Sequence, residues 1–387
     1  MPSDTLSRTR EILADLIAFP TVSADSNLAL IDYAAGRLRQ AGATCMVTRD
    51  PSGTKANLFA TLGPRADGGI VLSGHADVVP VEGQDWATDP FRMVERDGRL
   101  YGRGACDMKG FIAACLAVAP EFDGTALRRP LHFAITYDEE VGCLGARALV
   151  QELARSGIRP SVAIIGEPTE MRVIEGHKGC YEYTTEFVGL EGHGSQPELG
   201  VNAVEYAVRY VSRLLEIREG MKDRAPVDSR FVPPWTTLQV GCFNGGAARN
   251  VIAGHCAVEW EFRPVQAPDV DFIKTAMARH EEELRREMKS ISPGADIVTH
   301  TIGEVEGLAV VEQSEARDIV NELTGANHAD VVAFGTEAGL FQQAGMSAVI
   351  CGPGSIAQAH KPDEYVEIGQ LASCISMLDG LRRKLTA

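Results

Sequence analysis

The sequence predicts an α/β fold, a mixed sheet with helical cover, interrupted by an inserted βαββαβ domain, and three observations lead there. Apolar strand words alternate with amphipathic helical words from the start to about residue 177, as a sheet covered by helices requires. The pattern then changes to a strand, helix, strand, strand, helix, strand series before the first kind of pattern resumes. A chain of 387 residues is also long for a single core, so two domains are expected.

Taken in order, MPSDTLSRTREILADLIAF reads as an amphipathic helix stopped by Pro20. Ile70 to Leu72 form an apolar strand that runs through a glycine into His75 and Asp77. YGRGACDMKGFIAACLAVAP places Asp107 in a glycine-rich turn ahead of an apolar helix, and LHFAITYDEEVGCLGA ends a strand in Asp138, Glu139 and Glu140. SVAIIGEPT delivers Glu167 in the same fashion. Within the insert, YEYTTEFVGL, TTLQVGCF, HCAVEWEF and ADIVTHTIG alternate as strands, while NAVEYAVRYVSRLLEI and DFIKTAMARHEEELRREM have helical spacing. The charged run in the second helix reads as a solvated face with i,i+4 pairs. VVAFGTEAGLFQQAG and SAVICGPGS then return to the first pattern, followed by GPGSIAQAHKPDEY with His360 in a loop. The resulting division is a discontinuous catalytic domain, 1–177 and 305–387, around an insert at 178–304.

His75, Asp107, Glu140, Glu167 and His360 carry the chemical argument. Ligands of open α/β sheets gather outside the carboxyl ends of the strands, so these words point to one cleft. His75 is expected to ligate a metal, with the Asp77 carboxylate accepting its second N–H. Each residue taken alone has a plainer reading: Asp77 shaping a turn, Asp107 capping a helix, the acidic run lying on the surface. In an extended chain neighbouring glutamates face opposite ways, so one can ligate while the other faces the reactants. The set reads as two divalent ions around one activated water. Carboxylate and imidazole donors suit zinc, with cobalt or manganese as alternatives, and no paired thiolate set suggests a structural zinc site. Cys106 reads as a small packed thiol.

Composition narrows the function classes. A net charge of −16 disfavours nucleic acid as a partner. No apolar stretch approaches a membrane span, and the first residues are too charged for a signal peptide. Nine cysteines without framework spacing suggest reduced thiols and a cytoplasmic location.

From about Ile70 to Val366 the chain resembles the co-catalytic metallo-aminoacylases, the family containing acetylornithine deacetylases, succinyl-diaminopimelate desuccinylases and related dipeptidases. The resembling words are GHADVVP, GRGACDMKG, DEEVGC, IIGEPT, GHGSQPELGVNA, NVIAGHC and AHKPDEY. The resemblance implies a zinc-exopeptidase-like catalytic domain and a ferredoxin-like insert that joins two subunits into a homodimer. It implies that His75 and Glu167 hold one ion, Glu140 and His360 the other, that Asp107 bridges, and that Glu139 is the general base. His193, otherwise an ordinary loop histidine, is implied to polarise the scissile carbonyl in the partner subunit's site. Asn250 and Arg263 are implied to bind the substrate's α-carboxylate, an anion that an arginine fork matches well. The loop from Gly352 to Ser355 could offer N–H groups to the same carboxylate, although a tight turn explains its glycines equally well.

The expected reaction is hydrolysis of an N-acyl amino acid, with Glu139 carrying a proton from water to the leaving nitrogen. A succinyl group needs a cationic partner, and desuccinylases resemble one another in an arginine-bearing GRRG segment. Here the corresponding stretch is EGHKGCYEY, whose cation is Lys178. The words GTEAGLFQQAG and CGPGSIAQAHKPDEY also resemble the acetylornithine branch, with Glu337 a further candidate substrate contact. The expected substrate is therefore N2-acetyl-L-ornithine, cleaved to ornithine and acetate in arginine biosynthesis. The alternatives are a general N-acyl-amino-acid deacylase, a desuccinylase, a dipeptidase and, more remotely, a non-catalytic amino-acid-binding relative.

Overall fold

The structure, a computed structural model, describes residues 2–387. The described chain forms two compact units, one of residues 2–176, 308–331 and 336–387, the other of residues 177–307 and 332–335. The first is built on an eight-stranded sheet ordered Thr44–Arg49, Ala56–Leu62, Leu131–Thr136, Ile70–His75, Val162–Pro168, Ser347–Gly352, Ile174–His177, Asp330–Val332. Its centre is parallel: Ile70–His75 pairs in that sense with Leu131–Thr136 and with Val162–Pro168, which pairs likewise with Ser347–Gly352. These central strands are buried along nearly their whole length, which is why they read as continuous apolar runs. Parallel pairing brings their carboxyl ends to one edge, with His75 opposite Thr136.

Helix Lys109–Val118 is buried on every side, as its uniformly apolar sequence dictates. It packs against helices Pro2–Ile17 and Ile368–Thr386 and against the strands carrying His75 and Glu167. A Cβ on Gly166 would fall 2.0 Å from the Phe111 ring, so a glycine there lets helix and strand approach immediately before Glu167.

The second unit has one four-stranded antiparallel sheet, ordered Thr237–Gly245, His255–Arg263, Cys180–Val188, Asp296–Val305. Helices Ala203–Gly220 and Ala267–Ile291 complete a split βαβ arrangement. Asn202 starts the first of them, its side chain accepting the N–H groups of Val204 and Glu205. Aromatic side chains Tyr181, Tyr183, Phe187, Tyr210, Trp260 and Phe262 fill this unit's own core. On the second helix Arg285 pairs with Glu281 and Glu282, giving the charged run its solvated face.

Candidate metal centre

His75 closes its strand with a ring only 1% exposed. Its Nε2 lies 3.1 Å from Asp107 Oδ1 and 3.8 Å from Glu167 Oε1. The other ring nitrogen, Nδ1, stands 2.9 Å from the backbone carbonyl of Asp77 and 3.6 Å from its carboxylate. The carbonyl thus takes the orienting role expected of the carboxylate, leaving Nε2 to face the acidic cluster. The Asp77 carboxylate is instead occupied by the Ser23 hydroxyl at 2.7 Å and the backbone N–H groups of Glu139 and Glu140 at 3.0 and 3.3 Å.

Asp107 does not cap the helix that follows it; Met108 occupies that position without a side-chain bond. Its two oxygens face different imidazoles, Oδ1 toward His75 and Oδ2 at 3.4 Å from His360 Nε2. His360 Nε2 also lies 3.1 Å from Glu140 Oε2. Residues distant in sequence therefore form one continuous chain of donors, Glu167, His75, Asp107, His360 and Glu140.

The acidic run departs from the extended conformation expected for it. Its strand stops at Thr136, and Asp138 has a left-handed φ of 53°. The following turn, rather than strand alternation, separates the glutamates. Glu140 groups with His75 and Asp107, and Glu139 with His75 and Glu167, each set having ligand atoms within 4.8 Å of one another. Repulsion within the run is relieved at Asp138, which pairs with Lys55.

Loss of hydration raises the carboxyl pKa of Glu139 to about 8, with the negative charges of Glu140 and Asp107 adding to it against the opposing pull of His75. Burial and the Asp107 charge likewise raise Glu167 and Glu140. At Asp107, burial is outweighed by hydrogen bonds from His360 and His75, which hold its carboxyl well below the usual range. His360 is pushed up to about 10 by its bonds to Asp107 and Glu140. Hard oxygen and imidazole donors in this arrangement fit divalent zinc, cobalt or manganese.

Residues 71–384 match Peptidase family M20/M25/M40. The chain belongs to this family. It is a metallo-hydrolase acting on amides. It is 37% identical over 97% of its length to the acetylornithine deacetylase of Myxococcus xanthus, of which it also covers 97%. The acetylornithine deacetylase of Photorhabdus laumondii is 35% identical, with 95% of each chain covered. A tripeptidase structure from Staphylococcus aureus superposes with a TM-score of 0.75 at 20% identity, covering 98% of each chain, and attests the M20 fold.

The other sequence-marked residues of this M20 chain fall in several places. His193 is exposed on the short strand Gly192–His193, with Nδ1 2.7 Å from the Ser195 hydroxyl. Asn250 is beside it: the Asn250 carbonyl accepts the Gly194 N–H at 2.8 Å, and His193 pairs with Val251. Arg263 lies at the far end of strand His255–Arg263, about 26 Å along it at the usual rise per residue. Its guanidinium makes a fork onto Glu261, at 3.0 and 3.3 Å. Lys178 is buried and donates to the carbonyls of Pro233 and Trp235 at 2.9 and 3.0 Å, so its ammonium is committed within its own unit.

Glu337, expected against substrate, is instead 1% exposed and accepts the hydroxyls of Ser73 and Thr136 from beneath the strands. The Gly352 N–H already donates to Thr169 Oγ1 at 3.2 Å. A Cβ there would meet the Gly166 carbonyl at 2.0 Å, so close strand packing accounts for this glycine. The Ser355 carbonyl accepts the Cys106 thiol at 3.3 Å, which ties the loop to the Asp107 turn. Cys106 is thus packed, as its sequence context suggested. All nine cysteines are free, and no helix among the described residues is long and apolar enough to cross a membrane.

Proposed function

We propose that the chain removes the acetyl group of N2-acetyl-L-ornithine, giving L-ornithine and acetate for arginine synthesis, as a cytoplasmic homodimer. The observation that carries the catalytic reading is the placement of the two Asp107 oxygens toward two different imidazoles, with Glu167 beyond one and Glu140 beyond the other. His75 and Glu167 would hold one divalent ion, His360 and Glu140 a second, and Asp107 both. A solved relative of similar fold, from Bacillus subtilis, is described as a dinuclear metal-binding peptidase of family M20; it superposes with a TM-score of 0.63 at 16% identity and covers 99% of each chain. When bound, the ions would supply Lewis acidity and a water acidified toward neutral pH.

Glu139 is placed to take a proton from the attacking water and return it to the leaving nitrogen. A carboxyl whose pKa is raised toward neutrality can both accept and donate at the working pH. Burial of His75 and Asp107 keeps bulk water from the same positions. His193 and Asn250 share one edge of the inserted unit, and the reading places them over a partner subunit's substrate, where His193 steadies the developing oxyanion. Arg263 must loosen its fork on Glu261 to meet the substrate's α-carboxylate.

The acetylornithine assignment is supported by the 37% identity to an acetylornithine deacetylase across nearly both whole chains and by the lone lysine in EGHKGCYEY. Without an arginine pair, a succinyl substrate forgoes a charge-assisted bond of about 1.5–3 kcal/mol. The test compares kcat/KM for acetylornithine, acetylmethionine, succinyl-diaminopimelate and a dipeptide on one metal-loaded preparation. Acetylornithine should lead. Preference for acetylmethionine would leave a general deacylase, and preference for the succinyl compound or the dipeptide would overturn the substrate.

A further inference from the structure

Glu364 and Arg103 are each 1% exposed and form a buried pair, Arg103 Nη1 donating to Glu364 Oε2 at 2.8 Å. The pair lies behind the proposed centre. Glu364 also accepts three backbone N–H groups from the turn that carries Asp107. Oε1 takes those of Cys106 and Asp107 at 2.8 and 3.0 Å, and Oε2 takes that of Gly104 at 3.1 Å. These donors fill a carboxylate's acceptor capacity, which neither an amide nor a shorter acid reproduces.

Arg103 makes the reciprocal connection. Its Nη1 donates to the Lys361 carbonyl at 3.2 Å, next to His360, and its Nη2 reaches Gln84. Gln84 in turn donates to the His360 carbonyl at 2.9 Å. The guanidinium lies over the Trp86 ring, 5.0 Å from its centre, which covers its face. Thus the acid four residues after His360 grips the Asp107 turn, and the base four residues before Asp107 grips the His360 loop. His360 itself holds a left-handed φ of 62° and a half-exposed ring, so its own packing fixes it poorly.

We propose that Arg103 and Glu364 are positioning residues that set the separation of Asp107 and His360, and through it the affinity for the ion shared by His360 and Glu140. The inference rests on the reading of the metal centre given above. Outer partners of metal ligands typically govern affinity by about 10–100-fold, and a pair buried this completely has the rigidity to do so. Its effect falls mainly on one ion: Asp107 would serve both, but the first also has His75 and Glu167, which come from strands that the sheet already fixes.

The test strips the full-length protein of metal and titrates it with cobalt, following heat and the visible ligand-field bands. His360→Ala identifies which equivalent belongs to the His360 position. In Glu364→Gln that equivalent should bind about 10–100-fold more weakly with altered bands, while the other, held also by His75 and Glu167, should weaken clearly less. Gln84→Met, at a half-exposed position, should weaken the same equivalent by less, and it decides the matter alone if Glu364→Gln does not fold. Wild-type protein that binds a single equivalent would sink the two-ion reading itself. Two equivalents in wild type, with unchanged affinities and bands in the folded variants or with equal loss at both positions, would overturn the positioning role.

Discussion

The backbone N–H of Glu139 donates to the Asp77 carboxylate at 3.0 Å, and the same carboxylate accepts Glu140 N–H at 3.3 Å. Asp77 therefore holds the turn carrying the proposed base and a proposed ligand, while its carbonyl orients His75. Asp77→Asn keeps one acceptor oxygen and sets an NH₂ group against the remaining donors. It should lower kcat about 10–100-fold with a smaller change in KM. Steady-state kinetics with metal content measured in parallel would check this, and a change confined to KM would contradict it.

Glu139→Gln should lower kcat by about 10²–10⁴-fold, because the amide cannot accept the proton of water. Metal content should stay intact. Loss of one metal equivalent in this variant would mean that Glu139 and Glu140 have exchanged roles, which their shared proximity to His75 makes a pointed comparison.

Metal uptake should release protons. In the metal-free protein His360 titrates at about 10 rather than at its ordinary 6.5, so its native form holds the proton more tightly than the unfolded chain does. The stabilisation from its bonds to Asp107 and Glu140 is fully present below 6.5 and is lost as pH rises through about 10. A ligating imidazole must be neutral, so binding at about pH 8 expels this proton and apparent affinity rises with pH toward about 10. Calorimetric titrations in buffers of different ionisation enthalpy measure the release; a binding heat independent of buffer would contradict it.

The meeting of His75, Asp107, Glu140, Glu167 and His360 is legible in the sequence because each follows an apolar strand or turn, and parallel strands bring such ends together without further information. The inserted series was legible for the same reason, its periodicity switching between two and helical spacing. What escaped was the assignment of hydrogen bonds between distant loops. Glu364, Arg103 and Gln84 carry no periodic signal, and their partners lie far along the chain. Glu337 and Lys178 read as substrate contacts from sequence because a local word shows charge but not the hydroxyls and carbonyls that bond it. Strand alternation failed at Asp138 because the chain leaves extended geometry one residue before Glu139.

The dimer proposal makes a complementation prediction. The His193 side chain is exposed, its imidazole bonded locally to Ser195, as a group awaiting an external partner would be. Mixing inactive His193→Ala with inactive Glu139→Gln subunits should restore activity in the mixed dimers, since one of their sites receives both wild-type groups. Mixed dimers that form and remain inactive would remove His193 from the partner's site.

The most direct test of the centre is turnover of N2-acetyl-L-ornithine against bound metal in wild-type protein. Metal-free protein should be inactive, and activity should return as zinc or cobalt fills the sites formed by His75, Asp107, Glu140, Glu167 and His360, up to two equivalents. Full turnover by protein shown to be free of metal, or activity independent of metal content, would contradict the account.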